Sequence, residues 1–118
     1  MNTIVVSNTN DIKYVKRNDV KLKAGMNEEF NKILLEFIKS VEKKVKGPKG
    51  SIVINSTTNA SEVIVLSLWE TKPDMEVFYH PSNKTFSEFV DRASPLFESK
   101  PERTDYAVSH FSISDFRI

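Results

Sequence analysis

The chain has 118 residues, of which 17 are basic and 16 acidic, giving a formal net charge of +1. We predict a single domain over residues 1–118, because this length is typical of one compact domain. The near balance of charge argues against a nucleic-acid-binding protein, which needs a clustered basic surface. The absence of cysteine excludes disulfide bonds, thiol catalysis, iron–sulfur clusters and thiolate-ligated haem.

The amino-terminal segment, residues 1–13, is predicted to be an arm or an extra strand outside the core. Residues 4–6 are a short β-prone run, and the polar stretch that follows is typical of a turn. The start of the chain lacks the charged region and the apolar length of a signal peptide. No segment approaches the roughly 20 apolar residues that a membrane span requires. We therefore expect a cytoplasmic protein with no membrane partner.

Residues 14–23 alternate in character and predict the first core strand. One face of this strand carries Tyr14, Asn18, Val20 and Leu22, and the other is mainly charged. Asn27 is predicted to be the N-cap of the helix that follows, because acidic residues fill the next turn. Apolar residues recur at helical spacing as far as Val45, and Gly47-Pro48 predicts the helix end.

Residues 51–56 and 63–69 predict two strands that pair as an antiparallel hairpin. The second of them is almost continuously apolar, which favours burial on both faces. A helix in two pieces follows: Pro73 starts a turn that runs to His80, and Pro81 stops it. Ser82 or Asn83 then caps the second piece.

The second helical piece carries Phe86 and Phe89 and is kinked or ended by Pro95, and residues 106–114 predict the last strand. The order is β-α-β-β-α-β, which predicts an α+β ferredoxin-like protomer with an antiparallel sheet. Helices cover only one face of such a sheet. Because the sheet is apolar on both faces, we expect a second copy to cover the other face, giving a homodimer that forms an α/β barrel.

Five stretches, in order along this framework, carry a resemblance to a known family. They are Leu22-Lys23-Ala24-Gly25, Lys46-Gly47-Pro48-Lys49-Gly50, Leu66-Ser67-Leu68-Trp69-Glu70, His80 with Phe86 six residues later, and Pro95-Leu96. Over about residues 14–112 the chain resembles the antibiotic biosynthesis monooxygenase (ABM) domain family of dimeric α/β barrels. The interval from Trp69 to His80 is about two residues longer than the interval usual in that family.

The resemblance implies a homodimer in which each protomer holds a cavity between helices and sheet. Several members of the family oxidise quinols, anthrones or polyphenols with dioxygen and use no metal, flavin or haem. The resemblance thus predicts a monooxygenase that needs no cofactor and acts on a small aromatic ligand. Other members have no established activity, so the alternative is a non-enzymatic, small-molecule-binding or stress-associated dimer on the same scaffold.

Two residues are candidates for catalysis. His80 carries an imidazole, a group suited to take a proton from a phenol, whereas the alternative is that it caps backbone carbonyls at the helix break. Asn18 lies on the apolar face of the first strand, where its amide needs a ligand or a protein partner. The predicted walls of the substrate site are Trp69, Phe78, Tyr79, Phe86 and Phe89. The alternative for these walls is ordinary core packing or, for Tyr79, exposure on the helix.

No metal site is predicted. His110 falls in the predicted last strand, and two isolated histidines without a carboxylate at ligand spacing make a poor metal site. A haem-degrading branch of the family places an asparagine seven residues before the glycine that ends the first strand, as Asn18 stands before Gly25. The position of that branch's haem-ligating histidine falls near Val90, which disfavours haem degradation.

The two leading functions predict different cavities. A closed pocket with both His80 and Asn18 pointing inward favours the enzyme. A solvent-facing His80, with phenylalanines filling the interior, favours the binding protein.

Overall fold

The computed structural model describes residues 3–4, 11–42, 44, 46–114 and 116–117. Its elements are β1 (Thr3–Ile4), β2 (Tyr14–Lys21), α1 (Asn27–Val41), β3 (Gly50–Asn55), β4 (Glu62–Trp69), α2 (Lys72–Phe78), α3 (Lys84–Ala93), β5 (Glu102–Ala107) and β6 (Phe116–Arg117). The ferredoxin-like order of core elements predicted from the sequence is confirmed.

The main sheet has the strand order β3-β4-β2-β5, and every neighbouring pair is antiparallel. Strand β2 lies between β4 and β5, and its pairing with them fixes which residues lie side by side. Asn18 on β2 lies opposite Val65 on β4 and opposite Arg103 on β5. Because side chains alternate along a strand, these three residues point to the same face of the sheet. The predicted hairpin of β3 and β4 is confirmed.

The core lies between this face of the sheet and helices α1 and α3. It is built from Val20, Leu22, Phe30, Ile33, Leu34, Val63 and Ala93, all of which are buried. Helix α1 turns its apolar stripe, which repeats at helical spacing, toward the strands. Gly25 precedes α1 with a φ of 79°, a left-handed backbone conformation that glycine adopts without strain.

The break in the second helix is as predicted. Thr71 caps α2, with its side chain accepting a hydrogen bond from the Asp74 backbone, and Pro73 occupies the first turn. Asn83 caps α3 by accepting from the Thr85 amide, which decides between the two predicted caps. Helix α3 ends at Ala93, and a 3₁₀ turn containing Pro95 follows.

Helix α1 differs from the prediction at both ends. Asn27 is its first residue and Met26 is the N-cap, so the predicted cap is wrong by one position. The Asn27 side chain instead donates a hydrogen bond to the Ala60 carbonyl in the β3–β4 turn. The helix ends at Val41, and Val45, where the predicted helix ended, lies outside the described residues.

The last core strand was predicted too late in the sequence. It spans Glu102–Ala107, not residues 106–114, and its pairing with β2 places Tyr106 opposite Val15. All six of its residues are exposed, as suits a polar edge strand with only a weak apolar pattern. His110 therefore lies beyond the strand, where its Nε2 hydrogen-bonds to Ser112 Oγ at 3.1 Å.

The termini meet in a separate two-stranded sheet, in which Thr3 and Ile4 pair with Arg117 and Phe116. The predicted amino-terminal β-run is thus a strand at residue 4, and residues 5–10 lie outside the described part. No helix in the described ranges has the length and apolar character needed to cross a bilayer.

Candidate functional site

A small aromatic cavity lies between the helix-covered face of the sheet and helices α1 and α3. Its volume is about 60 Å³. It is lined by Asn18, Val20, Phe30, Leu34, Phe37, Val65, Tyr79, Phe86, Phe89, Val90, Phe97, Pro101 and Arg103. Asn18, Tyr79 and Arg103 are its polar residues, so the cavity is an apolar chamber with a few polar groups, as is usual for small-molecule sites.

The aromatic rings that wall the cavity touch one another. The rings of Phe37 and Phe89 stack with centroids 4.5 Å apart, and Tyr79 meets Phe86 edge to face at 4.9 Å. Both distances fall in the range of favourable aromatic pairs. The aromatic rings are therefore packed against one another and occupy most of the chamber.

The volume of the cavity is small for a ligand site. Small-molecule sites commonly enclose about 300–1,000 Å³, and a cavity of about 150 Å³ holds benzene. An aromatic ligand would have to displace one or more of the phenylalanine rings, or lie partly in the mouth of the cavity.

A chain of polar side chains forms the floor of the cavity. The indole Nε1 of Trp69, a residue with no exposed surface, donates to Ser67 Oγ at 2.8 Å. Ser67 Oγ in turn shares a hydrogen bond of 2.8 Å with the Tyr79 hydroxyl, in which either oxygen can donate. Asn18 Nδ2 donates to the Val65 carbonyl at 3.1 Å and to the Tyr79 hydroxyl at 3.4 Å.

The amide oxygen of Asn18 is the free acceptor of this chain. Both contacts of the Asn18 side chain use Nδ2, and no donor in the described residues bonds to Oδ1. Every fully buried side-chain nitrogen or oxygen of the described residues has a partner, so Oδ1 retains accessible surface. Since Asn18 lines the cavity, Oδ1 is available to a ligand hydroxyl there.

Burial raises the pKa of the Tyr79 hydroxyl above its ordinary value, because the phenolate would lose its hydration. Hydrogen bonds from Ser67 and Asn18 and the positive charge of Arg103 oppose this rise in pKa only in part. Tyr79 therefore stays protonated at neutral pH and can act as a hydrogen-bond donor, but not as a general base.

Charged side chains border the cavity on the side of β5, whose residues are all exposed, and this side is called the mouth of the cavity. Lys16 Nζ lies 4.6 Å from the centroid of the Tyr79 ring and forms an ion pair of 3.0 Å with Asp105. The Arg103 guanidinium carbon lies 5.0 Å from the Phe86 centroid and 5.7 Å from that of Tyr79. Both cations lie close enough to the ring faces for cation–π attraction.

His80 does not line the cavity. Its side chain is exposed, its Nδ1 accepts a hydrogen bond from the Ser82 amide at 3.1 Å, and the same nitrogen contacts Ser82 Oγ at 2.8 Å. Nδ1 is thus an acceptor, which puts the proton of the neutral imidazole on Nε2. The histidine caps the turn between α2 and α3, and its side chain does not point into the aromatic cavity.

Of the other predicted site residues, Asn18, Tyr79, Phe86 and Phe89 come together around the cavity. Trp69 and Phe78 form the layer behind it, with ring centroids 5.0 Å apart. Trp69 is a core residue whose contact with the site is its hydrogen bond to Ser67, which in turn bonds to the Tyr79 hydroxyl.

Several residues of the site were not predicted from the sequence, among them Phe37, Ser67, Lys16 and Arg103. Phe37 and Ser67 carried usable signals, since Phe37 belongs to the apolar stripe of α1 and Ser67 alternates with Val65 and Trp69. Arg103 was missed because the last strand was placed too late.

The described residues contain no group of three or more His, Asp or Glu side chains that could hold a metal ion. The position expected for a haem-ligating histidine is Val90, which lines the cavity and has no ligating atom. The donors around the cavity therefore do not fit an axially ligated haem.

A larger cleft, of about 350 Å³, lies at one end of the sheet and is lined mainly by polar and charged residues, among them Arg17, Lys21, Glu62 and Lys100. It has no aromatic wall. The smaller aromatic cavity is the candidate site because apolar walls there converge on a free amide oxygen and a buried hydroxyl.

Solved structures of other proteins share this fold. A protein from Caulobacter crescentus CB15, described as a "putative antibiotic biosynthesis monooxygenase", superposes with a TM-score of 0.73 at 16% identity, covering 84% of this chain and 92% of that one. A protein of the same description from Nitrosomonas europaea superposes with a TM-score of 0.68 at 12% identity, covering 82% of this chain and 99% of that one. A conserved protein from Methanosarcina mazei Go1 superposes with a TM-score of 0.70 at 16% identity, covering 80% of this chain and 91% of that one.

At these identities the likeness establishes the fold alone, which is the fold that the sequence resemblance implied. No family model matches the chain, and no curated protein matches it.

Proposed function

We propose that the protein is a monooxygenase that oxidises a small, electron-rich aromatic molecule, such as a quinol or an anthrone, with dioxygen and without a cofactor. The observation that carries the proposal is the pairing of a free amide oxygen, Asn18 Oδ1, with the buried hydroxyl of Tyr79 at the floor of an aromatic cavity. The descriptions of proteins with the same fold support it.

The reaction needs no electrons from the protein. A phenol or anthrone that loses a proton becomes an electron-rich anion, which passes one electron to dioxygen and then combines with the superoxide formed. The resulting peroxide, bonded to a ring carbon that still carries hydrogen, takes up a proton and eliminates water to leave a carbonyl group. One oxygen atom ends in the product and the other in water, and the substrate supplies all the electrons.

The floor of the cavity suits this chemistry in two ways. Asn18 Oδ1 accepts a hydrogen bond from the substrate hydroxyl and so orients the substrate ring. When Ser67 donates its proton to Tyr79, the phenolic proton of Tyr79 is free to stabilise negative charge on the substrate oxygen. The raised pKa keeps this donor protonated. With His80 outside the cavity, the substrate proton passes to solvent in this account.

The test is oxygen uptake with a panel of quinols and anthrones in the presence of a metal chelator. We expect uptake by the wild type that falls about a hundredfold in Asn18→Leu and at least tenfold in Tyr79→Phe. His80→Ala is the matched comparison and should stay within about twofold, because its imidazole bonds to Ser82 outside the cavity. A loss in His80→Ala that equals the loss in Asn18→Leu would return the base to His80 and refute this assignment.

A second candidate is a binding protein without catalysis. It is favoured by the cavity of only about 60 Å³ and by the exposed position of His80. This candidate predicts saturable binding of the same aromatic molecules with no uptake above the autoxidation blank.

We also propose that the protein is a homodimer joined through the uncovered face of the sheet. The register places Ile52, Ile54, Ile64 and Leu66 on this face, and Ile52 and Ile54 are 42% and 45% exposed. An apolar sheet face of this kind is typical of an interface. The face also carries one positive and one negative side chain, Arg17 and Asp19, which form an ion pair of 2.9 Å. Because a two-fold axis brings the same surface of both copies together, Arg17 of one copy can lie against Asp19 of the other.

Sedimentation velocity tests the dimer. We expect a dimer for the wild type and a monomer for Ile52→Asp. Leu35→Asp is the control, since Leu35 on α1 is 52% exposed on the helix side. A wild-type monomer at micromolar concentration, or a monomer for both variants, would contradict this interface.

A further inference from the structure

Arg103 is a cation at the cavity mouth that no carboxylate neutralises. It belongs to none of the ion pairs formed within the described residues, and its side chain makes no hydrogen bond there. Its guanidinium is held over the rings of Phe86 and Tyr79. Contact with a ring face leaves the N–H groups of an arginine free to bind a planar anion through two parallel hydrogen bonds.

The neighbouring charges do not cancel that of Arg103. Lys16, whose side chain is only 12% exposed, is paired with Asp105 at 3.0 Å, and the two together contribute no net charge. The mouth of the cavity therefore carries one net positive charge, located on Arg103. An anion is attracted to such a mouth, and a cation is repelled from it.

Arg103 also lies next to the polar floor of the cavity. It is the register partner of Asn18 across β2 and β5, and both residues line the cavity. A ligand in the cavity therefore meets the N–H donors of Arg103, the free acceptor Asn18 Oδ1 and the aromatic rings that line the same cavity.

We propose that the ligand of this cavity is an aromatic acid, with its carboxylate bound by Arg103 at the mouth and its ring among the phenylalanines. The proposal rests on the proposed function for the fate of the ring, since the hydroxyl that is oxidised lies at the Asn18 end. A carboxylate held at the mouth leaves only the ring of the ligand to be placed inside, where one or more phenylalanine rings must move to make room for it.

A pair of probes of equal shape tests the proposal without turnover. Binding of 2-naphthoate and of 2-naphthamide is measured by isothermal titration calorimetry at low salt. We expect the carboxylate to bind the wild type at least about tenfold more tightly than the amide, and this preference to shrink as salt is added.

Three variants assign the preference to one side chain. In Arg103→Gln the two probes should bind with equal affinity, and Arg103→Lys should restore part of the preference. Arg92→Gln is the control, because Arg92 is an exposed arginine that pairs with Glu36 on the helices. It should keep the full preference. Circular dichroism checks that each variant is folded, which is expected since Arg103 is on an exposed edge strand.

Equal affinities in the wild type, binding of neither probe at millimolar concentration, or a preference that survives Arg103→Gln would each overturn the proposal. The result is separate from that for the proposed function. A protein that prefers the carboxylate but consumes no oxygen with any substrate would be an aromatic-acid-binding protein, whereas one that oxidises neutral quinols without this preference would be a monooxygenase of another substrate class.

Discussion

Replacing Ser67 by alanine should destabilise the protein far more than the loss of one small hydroxyl suggests. Ser67 Oγ is the acceptor for the indole N–H of Trp69, which has no exposed surface and no route to water. A buried donor left without a partner costs roughly 1–3 kcal/mol. The lost bond to the Tyr79 hydroxyl adds about 1 kcal/mol. The free energy of unfolding should therefore fall by about 2–4 kcal/mol, since the change in side-chain volume is slight.

The control is Ser40→Ala. The Ser40 hydroxyl is exposed on α1 and bonds only to the Phe37 carbonyl of the preceding turn, at 2.6 Å. Removing it should change the free energy of unfolding by no more than about 0.5 kcal/mol. Tyr79→Phe should lie between the two variants at about 1–2 kcal/mol, because Ser67 and Asn18 each keep a second partner.

Urea unfolding at one fixed protein concentration measures these differences, because the stability of the proposed dimer would depend on concentration. Trp69, the only tryptophan of the chain, reports the transition through its fluorescence. A Ser67→Ala variant within about 0.5 kcal/mol of Ser40→Ala would refute the reasoning. It would mean that the indole N–H finds another partner, or that the polar floor is not formed.

Three further predictions concern the stability of the protein: its dependence on pH, the effect of Gly25→Ala and the effect of Asn83→Ala. Since the folded-state pKa of Tyr79 is raised, its contribution to stability is present below the ordinary tyrosine pKa of about 10 and is lost as pH rises through the folded value. The urea midpoint of the wild type should thus fall more steeply above about pH 10 than that of Tyr79→Phe, and parallel curves would contradict the raised pKa. Gly25→Ala should cost about 1 kcal/mol because of the φ of 79°, and no measurable cost would show that the turn relaxes. Asn83→Ala removes both the α3 cap and the bond from Asn83 Nδ2 to the Phe78 carbonyl, so the melting temperature should drop by an amount equivalent to about 1–2 kcal/mol, and an unchanged value would contradict the capping role.

The parts of the fold that were predictable carry strong local signals. Helix α1 has an unbroken apolar stripe, and the break between α2 and α3 is marked by Pro81 and the cap Asn83. Strand β5 has no such signal. Its residues facing the helices include Arg103 and Asp105, and its position is fixed by pairing with β2 rather than by its own sequence. A strand that places charged residues at the mouth of a cavity departs from the apolar alternation on which strand prediction depends.

The position of a site residue was predictable where the alternation of side chains along a strand alone decides which way the residue points. Asn18 shares a face of β2 with Val20, so its inward position followed from the sequence. The orientation of His80 did not, because it depends on a hydrogen bond to Ser82 inside the turn. A histidine beside an aromatic cluster in sequence can point away from that cluster in space. The size of the cavity depends on how five phenylalanine rings pack, which no local pattern encodes.

Isotope labelling shows whether the protein transfers an oxygen atom from dioxygen to its substrate. The protein is incubated with its best quinol or anthrone substrate under dioxygen made of the heavy isotope, and the product is analysed by mass spectrometry, with Asn18→Leu in parallel. We expect one labelled oxygen atom per product molecule from the wild type, at a rate that needs no added metal or flavin, and loss of this labelled product in Asn18→Leu. Product oxygen that comes from water, or labelling that is unchanged in the variant, would contradict the claim that this cavity performs the oxidation.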